Sequence, residues 1–262
     1  MGKTLDLKKV SGLDLKLDTE KSALIFGEGL TDPEPAIRNI DEMQEVLAEK
    51  GIKEPHDLYF MYRGLHRSID TDLLQKYNLR YDVTVIKPDH LGREFMKTAG
   101  HYHVADFGEL YEVVQGRAIC LLQKRNLKDD SIIEDVIAVQ AKAGQKIAIP
   151  PYYGHILVNP GPGYLVTSNW VSSRFSSEYQ LYKKSGGAAY YLYNSSGNIE
   201  YAVNPYFLRI PPVRHAVPAE LIDRFGLKEN EPIYFIINKA PERLDFLNRP
   251  SDFDYKDVFT YI

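Results

Sequence analysis

One cysteine, no long apolar run and no dominant sign of charge set the first limits on this 262-residue chain. Cys120 has no partner for an internal disulfide, and the opening MGKTLDLKKVSGLDLKLD lacks the apolar core of a secretory signal, so a reducing cytoplasm is the expected compartment. The longest apolar stretches, such as AICLL at 118–122, fall far below the roughly 20 residues that a membrane-spanning helix requires. No membrane partner is expected. The 32 basic residues are matched by 36 acidic ones, and no basic stripe stands out to release counterions from a polyanion, which argues against nucleic acid as a partner. Internal repeats and low-complexity segments are also lacking, so the ends read as elaborations of one central domain.

What is present is strand chemistry. Tyrosine is abundant, at 19 residues, and suits both half-buried strands and pockets that donate hydrogen bonds to polar ligands. Strand-like runs occur at 57–64, 81–88, 109–115, 117–124, 132–140, 145–150 and 164–171, separated by turn residues at Gly116, 127–131, 142–144 and 159–163. Many short strands with regular turns predict a sandwich or jelly roll. Between SGG at 185–187 and NSSGN at 194–198, AAYYLY reads as one arm of a hairpin whose other arm is YAV. One helix is expected near 36–50, because Ile37, Ile40, Met43 and Leu47 recur at helical spacing before Gly51. The Pro-punctuated tail reads as an appendage with a helical turn or two at PAELIDRFG, 218–226. The expected division is an N-terminal extension at 1–54, a central domain at 55–207 and a C-terminal extension at 208–262.

The chemistry concentrates in GHYHVADFGELYEVVQG. His101 and His103 are two apart, so on a strand both imidazoles share a face. A turn follows, and alternation resumes with Glu109, Tyr111, Val113 and Gln115 on one side. Glu109 can return beside the histidines, whereas Glu112 has the opposite parity and is the second choice. In GQKIAIPPYYGHILVN a strand feeds a Pro-rich corner, and His155 then opens a strand that can lie opposite the first cluster. A His-x-His pair alone is a weak signal, often just polar surface. Three imidazoles and one carboxylate, however, leave an octahedral ion two open positions, a catalytic rather than a closed structural site. His66, His90 and His215 have no matching partners and read as surface or supporting residues, and Cys120 as a small buried hydrophobe.

At these residues the chain resembles the cupin superfamily, whose motifs run G-x5-H-x-H-x(3,4)-E-x6-G and G-x5-P-x-G-x2-H-x3-N. His101, His103, Glu109 and Gly116 match the first, with a lengthened gap before Glu109 and the leading glycine displaced to Gly92. Gly144, Pro150, His155 and Asn159 match the second, with Tyr152 in place of its middle glycine. More narrowly, TVIKPDHLGREFMKTAGHYH, GELYEVVQG and IPPYYGHILVN resemble the cupin-type glucose-6-phosphate isomerases of archaea and some bacteria.

That resemblance implies an all-β cupin double-stranded β-helix and a homodimer. It also implies one divalent metal ion per subunit, commonly iron, with zinc, manganese or nickel as alternatives, held by His101, His103, Glu109 and His155. The substrate would be a sugar phosphate. By position, Tyr59, Thr84, Thr98 and Gly100 would form the phosphate pocket, and Tyr111 and Tyr179 would hold sugar or phosphate oxygens, Tyr111 standing with Glu109 as a catalytic residue. For each tyrosine the plain alternative is a half-buried strand residue. The family pattern has a tyrosine near 170 and a histidine at 177, where this chain carries Trp170-Val171 and Ser177. Isomerisation must move a hydrogen between neighbouring carbons, with Glu109 either remaining a ligand or acting as a base; a hydride shift needs no base. The competing readings are a cupin dioxygenase or decarboxylase, and a sugar-binding cupin without turnover.

Overall fold

A computed structural model of the chain describes residues 3–219, 221–222, 227–228 and 231–262. Eight strands carry the architecture: β1 (Leu79–Ile86), β2 (Glu94–Lys97), β3 (Glu109–Gln115), β4 (Arg117–Arg125), β5 (Ile133–Lys142), β6 (Lys146–Ile149), β7 (Tyr153–Asn159) and β8 (Leu165–Ser172). In one sheet β1 pairs with β8, β8 with β3 and β3 with β6, all antiparallel. In the other, β2 pairs with β7, β7 with β4 and β4 with β5, again antiparallel. First strand thus meets last, second meets seventh, third meets sixth and fourth meets fifth. A long hairpin wrapped into two facing sheets has this order, and it is the jelly roll, or double-stranded β-helix, of the cupins.

The first sheet continues outward through Asp57–Arg63 and then Ala36–Asn39. The helix expected over 36–50 is therefore shorter and starts later, covering Ile40–Met43 with a 3-10 turn at Gln44–Val46. Asn39 ends the strand and begins the helix. Its side chain accepts a hydrogen bond from the Glu42 amide at 3.0 Å, while the Glu42 carboxylate accepts one from the Asn39 amide at 3.1 Å. The helical spacing was real only from Ile40 on: Ile40, Met43 and Leu47 are buried, whereas Ile37 is exposed. A three-stranded N-terminal sheet, Thr4–Asp6, Leu15–Asp18 and Ala23–Phe26, has no counterpart in the sequence reading. The hairpin expected after 187 is formed by Tyr190–Ser195 and Asn198–Val203.

The C-terminal stretch read as an appendage packs on the barrel. Arg214–Pro218 runs parallel to β5 and antiparallel to Phe259–Tyr261. Trp170 points out of the barrel yet is fully buried, edge-on to Tyr81 at 4.9 Å and stacked near Tyr234 at 5.8 Å, and its indole N–H donates to the Ile233 carbonyl at 2.9 Å. Of the helical turn expected at 218–226, residues 220 and 223–226 lie outside the described ones, and Leu221–Ile222 pairs with Leu227–Lys228 as a short ladder.

The same covering buries Glu112 on the outer face of β3. Its carboxylate lies 3.2 Å from the Lys146 ammonium and accepts a hydrogen bond from the Ile233 amide at 3.4 Å. Burial pushes its pKa up to about 7 despite Lys146. Glu112 therefore binds its proton more tightly folded than unfolded. The stability so contributed is fully present below the ordinary carboxylate value of 4.5 and is lost as pH rises through about 7. Thermal melts of wild type and Glu112→Gln across that window test this. The advantage of wild type over the variant should shrink by on the order of 3 kcal/mol as pH rises, and a constant difference would refute it.

Candidate metal centre

The inward face of the first sheet is built in cross-strand rows. Arg80, Val171, Glu109 and Ile149 form one row, and Arg63, Asp82, Asn169, Tyr111 and Ile147 the next. Because paired residues point to the same side, each row brings its side chains together inside the barrel. The opposite sheet supplies the histidines. His101 and His155 pair across an isolated antiparallel bridge, exchanging backbone bonds of 3.2 and 3.0 Å, so their rings stand side by side with centroids 4.5 Å apart. His103 is anchored by the short pairing of Tyr102–His103 with Ser177–Glu178.

Two backbone features allow this approach. Gly100 has a φ of +81°, and a Cβ there would lie 2.4 Å from Ile156 Cγ2, so only glycine lets the chain turn into His101 against β7. Tyr152, standing where the cupin pattern has glycine, keeps the left-handed backbone at φ +67° with its ring exposed.

His101, His103, Glu109 and His155 converge so that one donor atom from each lies within 4.8 Å of all the others. Glu109 Oε2 is 3.1 Å from His155 Nε2, 3.2 Å from His103 Nε2 and 3.9 Å from His101 Nε2. Metal–ligand bonds of about 2.1 Å put neighbouring ligands about 3 Å apart and opposed ones about 4 Å apart, which matches these spacings. His103 Nδ1 must carry its proton, since it donates to the Phe107 carbonyl at 2.5 Å, and this leaves the Nε2 lone pair facing the centre. His101 Nε2 is buried with no hydrogen-bond partner among the described residues, an orphan that a cation would satisfy.

The electrostatics agree. Burial, and then the neighbouring His155, push His101 well below the usual imidazole range, so it is the neutral ligand form. Burial opposes ionisation of Glu109, but the neighbouring His103 and His155 outweigh it and hold the carboxyl well below its ordinary value. Cys120 is buried and its thiol is pushed up by burial, leaving it a neutral packing residue. The donor set fits a divalent ion of the iron, manganese, nickel or zinc type.

Two of the four, His101 and Glu109, face a cavity of about 260 Å³ also lined by Tyr111, Asn169, Arg63, Arg80, Asp82, Thr84, Phe175, Ser177 and Tyr179, among others. Elsewhere a groove of about 1080 Å³ has no histidine, cysteine or carboxylate in its lining. Of the substrate-contact residues expected from the sequence, Thr84, Tyr111 and Tyr179 line this cavity. Tyr59, Thr98 and Gly100 are not among its lining residues: the Tyr59 hydroxyl accepts from the Ala99 amide at 3.2 Å, and Thr98 Oγ accepts from the Leu157 amide at 3.0 Å. Trp170 points away from the cavity, its place there being taken by the flanking Val171 and Asn169. Glu112, the second-choice ligand, is on the opposite face, as its parity requires.

Asn169, Arg80 and Asp82 escaped the sequence reading. Asp82 and Arg80 share the parity of Thr84 in RYDVTV, so strict alternation would have flagged both. Asn169 needed the register between β8 and β3, which the sequence does not give.

A family model described as glucose-6-phosphate isomerase (GPI) matches residues 36–207. The chain belongs to this glucose-6-phosphate isomerase family. Curated glucose-6-phosphate isomerases match it in part. That of Thermococcus onnurineus is 36% identical over 87 residues, 32% of this chain and 41% of its own length. That of Thermococcus gammatolerans is 29% identical over 48% of this chain and 62% of its own length. For Thermococcus kodakarensis the figures are 26%, 60% and 75%. The chain thus spans about half the length of the first two. Among solved structures, oxalate decarboxylase from Bacillus subtilis covers 50% of this chain and 30% of its own at 15% identity, with a TM-score of 0.34.

Within the cluster, Asn169 Nδ2 donates to Glu109 Oε1 at 2.8 Å, occupying one carboxylate oxygen while the other lies toward the imidazoles. Asn169→Ala should weaken divalent metal binding about 10- to 100-fold in a calorimetric titration while leaving the melting temperature of the metal-free protein nearly unchanged. Unaltered metal affinity would show that Asn169 does not orient Glu109.

Proposed function

We propose that this protein interconverts glucose 6-phosphate and fructose 6-phosphate, using one divalent ion, iron in the first place and otherwise zinc, manganese or nickel, held by His101, His103, Glu109 and His155. The observation that carries the reading is that two of the convergent ligands, His101 and Glu109, face a polar cavity, so the cluster has an open side. A bound ion would act there as a Lewis acid toward the sugar's adjacent oxygens.

The rest of the chemistry falls to side chains. Glu109, ionised and restrained by Asn169, keeps a carboxylate beside the reacting carbons whether it remains a ligand or takes a proton. The Tyr111 hydroxyl, 3.2 Å from His155 Nε2, is pushed well above its usual pKa by burial and then by Glu109. It therefore stays protonated and able to donate to a sugar oxygen. Thr84 and Tyr179, farther along the cavity, offer hydroxyls to the distal end of an open-chain sugar phosphate. Phe175 packs against His103 with ring centroids 4.5 Å apart and shields the ligands from water. Among the described residues no helix is long and apolar enough to cross a membrane. The reading places the enzyme in the cytoplasm as a homodimer.

A coupled assay of fructose 6-phosphate conversion tests the proposal. Activity should appear with at least one of the four metals, and Thr84→Val should raise KM about tenfold with little change in kcat. No conversion with any of the four metals would overturn it.

A further inference from the structure

His103 and Glu109 are joined by the loop 104–108, and the way that loop is held decides how the two ligands face each other. Locally it is braced by the Phe107 amide, which donates to the Ala105 carbonyl at 2.9 Å, and by His103 itself, which donates to the Phe107 carbonyl. Further restraint comes from the far end of the chain. The Gly108 amide, immediately before Glu109, donates to the Leu247 carbonyl at 3.0 Å, and the Asp106 carboxylate accepts from the Ser251 hydroxyl. Both partners belong to the C-terminal segment, which forms two 3-10 turns there, Pro241–Leu247 and Pro250–Asp252. A Cβ at Gly108 would lie 2.7 Å from the Phe246 carbonyl oxygen and 3.3 Å from Leu247 Cα, so loop and segment meet backbone to backbone, an approach that only glycine allows.

Asn248, between the two turns, fixes the segment where it meets the loop. Its Oδ1 accepts from Ser172 Oγ at 2.8 Å and from Arg174 Nη2 at 3.1 Å, and its Nδ2 donates to the Tyr77 carbonyl at 3.0 Å. One side chain thus ties the C-terminal segment to the end of β8 and to the end of the helix Thr71–Tyr77. The Arg174 guanidinium also lies 5.8 Å from the centroid of the Phe107 ring, and the neighbouring Phe175 packs on His103. The segment therefore reaches both ligands: Glu109 through Leu247 and Gly108, His103 through Arg174 and Phe107. A ligand loop left free in the metal-free protein would have to be ordered when the ion binds, at a cost in affinity that a prior restraint removes.

We propose that the C-terminal segment 246–251 is a strap that positions the metal ligands, with Asn248 as its anchoring residue. Asn248 is not among the residues that line the cavity, and it acts as a positioning residue through Gly108 and Phe107. The inference rests on the metal-centre reading of His101, His103, Glu109 and His155. It extends that reading to a part of the chain outside the family match at 36–207 and gives the tail a role at the site beyond packing on the barrel.

The test titrates metal-stripped full-length protein with Mn²⁺ in a calorimeter and times the release of the bound ion into excess chelator. Asn248→Ala should bind Mn²⁺ about tenfold more weakly than wild type and release it correspondingly faster, and Gly108→Ala, which forces loop and segment apart, should do the same. Asn248→Asp keeps an acceptor for Ser172 and Arg174 and should recover most of the affinity. Tyr234→Phe serves as the control. It removes the hydroxyl that donates to Asp70 at 2.8 Å and accepts from the Arg67 amide at 2.8 Å, loosening the same tail at another point. It should lower the melting temperature while leaving Mn²⁺ affinity within about twofold of wild type. The strap is refuted, and the metal centre stands, if Asn248→Ala or Gly108→Ala holds Mn²⁺ as wild type does, or if Asn248→Asp is no better than Asn248→Ala. It is refuted equally if Tyr234→Phe weakens binding as much as Asn248→Ala, which would make the effect one of general stability. A wild type that binds no Mn²⁺ would defeat the metal-centre reading and the strap with it.

Discussion

A carboxylate and three imidazoles held within a few ångströms of one another, two of the four fully buried, must be compensated together, and the site depends on that constraint. Any one of them alone in an apolar barrel is a cost. Together, with Glu109 Oε2 shared among three ring nitrogens, they form a negative and electron-rich focus of the kind that a divalent ion would complete. His101 Nε2 shows what remains unmet without such a partner. The jelly roll suits this demand because its two sheets supply the two halves: the hydrogen-bonded bridge fixes His101 against His155, and the rows of the facing sheet fix Glu109 beside Asn169 and Tyr111.

The outside of the barrel is organised around keeping that interior rigid. Trp170, Tyr81 and Tyr234 pack on the outer face of the strands whose inner faces carry Arg80, Asn169 and Val171. The C-terminal segment closes over them, and the N-terminal strand Ala36–Asn39 widens the same sheet at its other edge. Both ends of the chain therefore pack against the sheet that carries the cavity, one over its outer face and one along its edge.

Much of this was legible in the sequence because local periodicity and the turn residues report it. The spacing His101-x-His103 and the parity of Glu109 over Glu112 were enough to assign the ligand face, and the strand limits of 109–115 coincide with those observed. The helix at 36–50 was not, because apolar residues at helical spacing also fit a strand followed by a capped turn, and the Asn39–Glu42 cap decided where one gives way to the other. The N-terminal sheet escaped because its strands are only three or four residues long, too short for an alternating pattern to stand out. Asn169 escaped for a different reason. It reaches Glu109 only through the pairing of its strand with β3, and long-range register is tertiary information.

The most direct measurement is a metal titration of the metal-stripped protein in which bound metal and isomerase activity are followed on the same sample. The account predicts that activity rises in proportion to bound metal and saturates at one ion per chain, with His155→Ala losing both together. Full activity in protein stripped of metal, or in a metal-free His155→Ala variant, would contradict it.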